Sequence, residues 1–201
     1  MRDDEDLIDL IRAAAGGDRR AFEDIVLRKR ERVVRTAFQI TGDLEDAKDV
    51  AQGVFLRLWR VLQRFDLSKR FDTWLYRITV NAAIDFIRER GPKGTLQPLP
   101  DDAGERLRDP GQVPDEALDL RQLQAAFLRL AARLAPRQRA TFVLKEIEGL
   151  ETAEIAQALG VTESTVRNHL LQARRILREG LRKDYPGLAG GRSSTDEDEP
   201  S

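Results

Sequence analysis

The chain has 201 residues, long enough for one domain or two small ones, and its 34 Lys and Arg residues nearly balance 35 Asp and Glu residues. It has no cysteine, which excludes disulfides, thiolate metal sites and cysteine redox sensing by the chain itself. No apolar run approaches the roughly 18 residues that span a membrane. The N-terminus MRDDEDLIDL is acidic where a secretory signal is basic. We therefore expect a cytoplasmic protein without membrane insertion.

The first part of the chain places apolar residues at spacings of three and four almost throughout, and signals for strands are nearly absent. Gly16 and Gly17 are expected to stop a first helix, Asp18 can cap a second, and the sequence Thr-Gly-Asp at 41–43 makes a turn. The pattern predicts four helices, at about residues 4–15, 18–40, 44–64 and 71–90, with a short loop from Phe65 to Arg70 before the last one.

The segment 91–114 is rich in proline and glycine, so it cannot continue a helix and is predicted to be a flexible linker. Beyond it, the periodicity predicts helices at about 115–134 and 137–148, with Pro136 in the first turn of the second. The tail from residue 186 is polar, acidic and glycine-rich, and we expect it to be disordered.

Residues 149–183 have the pattern of a short helix, a tight turn and a longer basic helix. Gly160 suits a left-handed C-cap because it has no Cβ, and Thr162 suits the N-cap of the next helix. Val161 can pack into the angle between the helices. The expected buried positions are Ile155, Ala156, Leu159, Val166 and Leu170.

The exposed side of the second of these helices carries Ser164, Arg167 and Asn168 near its N-terminus. A helix-turn-helix presents short polar and basic side chains to base edges in this way. An ordinary helical hairpin with a solvated charged face is the alternative. The expected fold class is therefore all-α: two small helical domains joined by a flexible Pro/Gly-rich linker, the second ending in a helix-turn-helix.

Charge is segregated along the chain, although the totals nearly cancel. Residues 19–90 contain 16 Lys and Arg against 11 Asp and Glu, and residues 121–183 contain 12 against 6. Because phosphate contacts depend on local cations, the two basic segments favour nucleic acid as a partner.

Two helices of the first part carry further signals. The helix at 44–65 offers Asp46, Asp49, Gln52, Arg57 and Arg60 on its polar side, which is either a solvated face or a surface for a partner helix. The helix at 71–90 mixes aromatic residues, among them Tyr76, with arginines, a combination that suits single-stranded or melted DNA because aromatic faces stack on bases. The alternative is that the aromatic residues belong to the core.

The segments LEDAKDVAQGVFLRLW, RFDLSKRFDTWLYRITVNAAIDFIR and LAPRQRATFVLKEIEGLETAEIAQALGVTESTVRNHLLQARRILREGL, in this order and around a proline-rich linker, resemble the bacterial sigma factors of the extracytoplasmic-function (ECF) group. The resemblance covers about residues 5–90 and 118–183. It implies region 2 of a sigma factor at 1–90, a linker at 91–114, region 4 at 115–185, and a disordered acidic tail at 186–201.

The resemblance also implies roles for individual residues. Binding of core RNA polymerase, at the β′ clamp helices, is implied for Asp46, Asp49, Gln52 and Arg57. Melting and capture of the minus-10 promoter element are implied for Phe71, Trp74, Arg77, Asn81 and Arg88. Reading of the minus-35 element is implied for Ser164, Thr165, Arg167, Asn168, Leu171 and Arg174. Region 4 would also dock on the β flap, and an anti-sigma factor is an expected partner; no cofactor or metal is implied.

Four positions depart from the family pattern. Gly53 stands where Glu is usual, and a glycine inside a helix costs about 1 kcal/mol relative to alanine. His169 and Gln172 stand where arginines are common, so we expect weaker binding of DNA phosphates or a change in which bases the recognition helix reads. The loop DLSKR lacks the usual glycine.

Two other classes of protein remain as alternatives. A helix-turn-helix regulator that acts without binding core polymerase would account for 149–183, although not for the two helices at 44–90. An enzyme such as a recombinase is disfavoured, because one histidine and no cysteine leave few nucleophile–base pairs.

Overall fold

The computed structural model describes residues 2–90 and 115–186, and the side chains of residues 6–90 and 123–186. The predicted linker at 91–114 and all of the predicted tail beyond residue 186 lie outside the described residues. Within the described residues the fold is helical and contains no strand, as the sequence predicts. The α-helices are α1 (Arg2–Ala15), α2 (Arg19–Thr41), α3 (Leu44–Val61), α4 (Phe71–Arg90), α5 (Asp115–Ala131), α6 (Pro136–Phe142), α7 (Thr152–Leu159) and α8 (Glu163–Asp184).

Local capping groups fix the helix boundaries of the N-terminal block, α1–α4. Asp18 accepts hydrogen bonds from the backbone N–H groups of Arg20 and Ala21 at 2.8 and 3.2 Å, and so caps α2 as predicted. Gly42 ends α2 with a φ of 84°, a left-handed conformation that favours glycine. Helix α3 ends at Val61, and a single 3-10 turn at Leu62–Arg64 replaces the last turn of the predicted helix.

The N-terminal block buries the apolar stripes of its four helices against one another. Helix α2 is the central element, since it packs against α1, α3 and α4. Ile25, Val54, Leu58 and Val80 have no exposed surface, and each comes from the apolar side of its helix.

The C-terminal block, α5–α8, is built around the helix-turn-helix. Helix α8 packs against α6, α7 and α5, and Gly180 allows a close approach to Leu130 of α5. Helix α6 begins at Pro136 as predicted, but after Phe142 it continues as a π-helical turn at Val143–Ile147. The predicted continuous α-helix at 137–148 is therefore wrong in its second half.

The two blocks pack against each other. Helix α4 contacts α7 and α6, and α2 contacts α6 and the π turn. Most buried apolar side chains of both blocks form one continuous cluster, to which Phe38 and Ile84 contribute from one side and Val143 and Ile155 from the other. Within the C-terminal block lies a second, smaller cluster, which comprises Ala131, Leu134 and Ala173. Among the described residues, no helix combines the length and apolar character needed to cross a membrane.

Candidate nucleic-acid interface

The first half of α4 carries a small aromatic cluster. The ring of Trp74 is half-buried, and its centroid lies 4.9 Å from that of Phe65 and 6.1 Å from that of Phe71. Phe71 itself is only 6% exposed and supports the Trp74 ring from the core, while its direct contact with DNA stays a prediction. Tyr76 is also buried and donates its hydroxyl hydrogen to Glu148, so it is not a base-stacking group.

Exposed cations lie beside Trp74 and further along α4. Arg77 and Arg88 lie on the exposed side of α4, as predicted, and Lys69 and Arg70 lie in the loop just before it. Lys69 and Arg70 are not among the predicted site residues, although an adjacent Lys-Arg pair beside the aromatic run is a usable signal. The cations on both sides of one partly exposed ring suit a single strand with stacked bases.

The loop before α4 is ordered by its own side chains. Asp66 accepts hydrogen bonds from the backbone N–H of Ser68 at 3.0 Å and from its hydroxyl at 2.7 Å. These bonds hold the pKa of the Asp66 carboxyl below its usual value. The aspartate therefore shapes this turn without the glycine that is often found there.

The helix-turn-helix has the predicted geometry. Gly160 adopts a φ of 64°, and the N–H of Val161 donates to the Ala156 carbonyl at 3.0 Å. The Thr162 hydroxyl accepts from the Thr165 N–H at 3.2 Å and caps α8. All five positions predicted to be buried are buried: Ile155, Ala156, Leu159, Val166 and Leu170.

Five of the six residues predicted to read the minus-35 element lie on the exposed side of α8; the sixth, Thr165, is half-buried. The five are Ser164, Arg167, Asn168, Leu171 and Arg174. Leu171 is 70% exposed, which is unusual for a large apolar side chain. Arg167 lies 3.4 Å from Glu163, one turn earlier, whereas Arg174 is held by Glu146 through an Nε–Oε1 hydrogen bond of 3.1 Å.

His169 and Gln172 face α6 instead of the exposed side of α8. The Nδ1 of His169 lies 3.4 Å from the Thr141 hydroxyl, and the Gln172 side chain accepts a hydrogen bond from Gln138. Burial, assisted by the charge of Arg137, lowers the pKa of His169. Both residues contact α6, and Gln172 also donates a hydrogen bond to the Asn168 side chain at 3.3 Å, so our expectation that they alter the contacts with DNA stays a prediction.

The polar side of α3 is exposed at Asp49, Gln52 and Arg57. Asp46 differs, since it is only 8% exposed and pairs with Arg90 of α4; burial raises the pKa of its carboxyl in spite of that arginine. Asp46 is thus not part of the exposed surface that the sequence predicted. Leu56 was missed: it is 57% exposed on the same helix, and it drew no attention because it interrupts the polar pattern.

Among the residues whose side chains are described, no group of three or more histidine and carboxylate residues could hold a metal ion. Two carboxylates near α4, Glu148 and Asp72, are engaged with other side chains: Glu148 with Thr36 and Tyr76, and Asp72 with Lys29 and Arg32.

Two family models match the chain, Sigma-70 region 2 at residues 25–92 and Sigma-70 region 4 at residues 124–177. The chain is 30% identical over 179 residues to the ECF RNA polymerase sigma factor SigW of Bacillus subtilis, and the alignment covers 86% of this chain and 95% of SigW. It is 34% identical over 172 residues to the ECF RNA polymerase sigma factor SigE of Mycolicibacterium smegmatis, and the alignment covers 84% of this chain and 66% of SigE.

Solved structures show the same fold. CnrH, in complex with the cytosolic domain of CnrY, superposes with a TM-score of 0.63 at 26% identity, covering 89% of this chain and 99% of CnrH. RpoE of Bartonella quintana, in complex with the anti-sigma factor NepR, superposes with a TM-score of 0.62 at 21% identity, covering 81% of this chain and 98% of RpoE.

Proposed function

This chain belongs to the ECF group of bacterial RNA polymerase sigma factors, which direct the polymerase to promoters, and we propose how its surfaces divide that work. Sigma factors are initiation factors without a catalytic site of their own, and we assign no covalent chemistry to this one. We take residues 1–90 as region 2, 91–114 as the linker, 115–185 as region 4 and 186–201 as an acidic tail. Since polymerase and promoter are cytoplasmic, we also assign the chain to the cytoplasm.

The melting surface is the exposed side of α4 and the loop before it. Trp74 receives an unstacked base of the minus-10 element on its exposed edge, while Phe65 and Phe71 keep the ring in place. Asn81 and Arg77 contact the same strand, and Lys69, Arg70 and Arg88 neutralise phosphates. The half-buried ring among exposed cations supports this assignment.

The minus-35 surface is the exposed side of α8. Ser164, Arg167 and Asn168 lie near its N-terminus, where a recognition helix reaches base edges. Leu171 follows one turn later, and we assign it to an apolar contact such as a thymine methyl group, since its large exposure has no partner within the described structure. Arg174 must leave Glu146 before it can reach a phosphate.

The surface for core polymerase is the exposed side of α3, and we assign it to the β′ clamp helices. It comprises Asp49, Gln52 and Arg57, together with Leu56, whose exposed side chain supplies the apolar contact that a polar stripe alone lacks. Asp46 leaves this set because it is paired inside the domain. Region 4 is proposed to dock on the β flap, and an anti-sigma factor is a proposed further partner, since both CnrH and RpoE were solved in complexes.

The single observation that carries the proposal is the presence of two separate DNA-suited surfaces, one for single strands and one for the major groove, on one chain. A regulator that acts without polymerase needs only the second. Each surface alone binds weakly, and their contributions combine through the linker and the polymerase.

The direct experiment mixes the purified chain with core polymerase and a promoter that contains a melted bubble, and measures association by native gel shift or anisotropy. We expect a complex that requires both core and the bubble. Tight binding of the free chain to duplex DNA, with no association with core, would instead identify the polymerase-independent regulator.

A further inference from the structure

Helix α7 of the C-terminal block lies across the proposed melting surface of α4. Glu154 Oε1 accepts a hydrogen bond from the Thr73 hydroxyl at 3.0 Å and lies 3.6 Å from a guanidinium nitrogen of Arg70. Further along α4, Asn81 Nδ2 donates to the Ala158 carbonyl oxygen at 3.1 Å. Two of the groups that we assign to DNA, Arg70 and Asn81, are thus engaged by the chain itself.

A cavity of about 250 Å³ lies at this contact. One wall carries the Trp74 ring with the cations Lys69, Arg70 and Arg77, and Glu154 is the acidic residue of the opposite wall. The backbone N–H of Glu151 donates to the second carboxylate oxygen of Glu154 at 2.9 Å, and this bond holds the pKa of Glu154 below its usual value. An ionised carboxylate therefore faces a cationic, aromatic pocket, where a phosphodiester would present the same charge and the same oxygen acceptors.

The rest of the contact between the blocks includes a row of buried and half-buried polar side chains, here called the polar seam, which comprises Thr36, Gln39, Tyr76, Arg139 and Glu148. Glu148 accepts hydrogen bonds from the Thr36 hydroxyl at 2.7 Å and from the Tyr76 hydroxyl. Arg139 is 4% exposed and donates from Nε to the Gln39 carbonyl at 2.6 Å. One of its terminal nitrogens and the Gln39 Oε1 are buried without a hydrogen-bond partner in the described structure.

Incompletely satisfied polar groups make an interface easier to separate, because water restores the missing hydrogen bonds when the two faces part. Burial without an opposing carboxylate lowers the pKa of Arg139 to about 10, which still leaves it charged at neutral pH. The seam thus holds the blocks together through contacts that solvent or a partner can replace.

We propose that Glu154 occupies the position of a phosphate of the melted promoter strand on α4, so that α7 and single-stranded DNA compete for one surface. In the closed chain that we describe, α7 occupies part of the melting surface, at Arg70, Thr73 and Asn81. That part becomes free when the blocks separate. This inference rests on the proposed assignment of α4 to DNA.

The absence of cysteine allows a direct measurement of closure, because two introduced cysteines take labels specifically. Lys48→Cys on α3 and Lys183→Cys on α8 place spin labels on exposed positions of the two blocks, away from their contact. Pulsed electron resonance then gives the distribution of distances between the labels. We expect one narrow population for the free chain, and a broader, longer one when a single-stranded DNA oligonucleotide of random sequence is added, because base stacking on an aromatic ring is sequence-tolerant.

Glu154→Gln is the discriminating variant. It removes the charge, but a glutamine oxygen still accepts from the Glu151 N–H, so the start of α7 is retained. Glu179→Gln, an exposed position on α8, is the matched control for the loss of one negative charge. Because apparent affinity scales with the open fraction, Glu154→Gln should broaden the distance distribution and raise the affinity for the oligonucleotide at least about threefold more than the control does.

Three results would overturn the inference: a broad distribution in the unmodified chain, DNA binding that leaves a narrow distribution unchanged, or equal behaviour of the two variants. If the complex with core polymerase and a bubble promoter forms as expected while any of these results is found, only the competition by α7 is refuted. If that complex also fails to form, the proposed function itself is refuted.

Discussion

Gly53 offers a test of how the helix of the polymerase surface is stabilised. It lies in the middle of α3, it is exposed, and a Cβ added to it would meet no heavy atom within 4 Å. Gly53→Ala therefore adds no clash and removes only backbone freedom from the unfolded chain. We expect the free energy of unfolding to rise by about 1 kcal/mol, the difference in helix propensity between the two residues.

Tryptophan fluorescence during urea unfolding is a suitable assay, because both tryptophans of the chain, Trp59 and Trp74, lie in the N-terminal block. With a typical slope of about 1–3 kcal/mol per molar urea, the midpoint should rise by roughly 0.3–1 M while the slope stays the same. An unchanged or lower midpoint would refute the reasoning, since it would mean that α3 gains nothing from a regular residue at this position.

Gly180→Ala is the matched contrast, because the same substitution meets a different environment. Its Cβ would lie 2.4 Å from the Cδ2 of Leu130, a buried side chain of α5. Overpacking costs about 1–3 kcal/mol, which outweighs the propensity gain of about 1 kcal/mol, so the helical signal of the C-terminal block should melt earlier. Equal stabilisation by both substitutions would contradict the close packing of α5 on α8.

The remaining predictions concern the two DNA surfaces. Trp74→Ala should weaken open-complex formation by about 1–3 kcal/mol, the value of one base stack, with a much smaller effect on core binding; equal loss of both would assign the ring to packing. Arg167→Ala should reduce discrimination of the upstream element by about 1–3 kcal/mol and leave association with core intact, whereas an equal loss on scrambled upstream DNA would assign Arg167 to phosphate. Burial lowers the pKa of His169 below its usual value of about 6.5, so the neutral ring favours the folded state. The contribution of His169 to the free energy of unfolding is complete above about pH 6.5, and it is lost as the pH falls through the lower pKa of the folded state. The urea midpoint of the parent chain should therefore fall over this range relative to that of His169→Gln, and parallel pH profiles would show that the ring does not titrate against α6.

The elements of this fold could be predicted from sequence because the signals that start and stop its helices are local. Asp18 and Thr162 cap the helices that follow them, and Gly42 and Gly160 end helices in the left-handed conformation. Each of these signals lies within a few residues of the boundary that it sets, so no tertiary information was needed.

At the candidate sites, the positions of side chains differ from expectation where a side chain has a partner that is distant in sequence. Asp46 lies on the polar stripe of α3, yet Arg90 draws it into the domain. His169 and Gln172 lie among basic residues, yet α6 covers them. Periodicity identifies the apolar face of one helix, but it does not reveal which polar residues at the edge of that face a neighbouring helix will bury.

The packing of the two blocks was beyond sequence reasoning for the same cause. Thr36 and Glu148 lie on elements that only the tertiary fold brings together, and neither segment has a sequence pattern that predicts contact with the other. The contact also uses polar groups, which a sequence pattern assigns to solvent by default.

The π turn at Val143–Ile147 gives the chain one more residue than an α-helix would need before Glu148. A π turn accommodates that extra residue by widening the helix, so the segments on either side keep their relative positions. In a related chain with one residue fewer between Phe142 and Gly149, we expect a regular α-helix here that still directs the carboxylate at Thr36 and Tyr76. The presence of the π turn can therefore be read from the length of this segment alone.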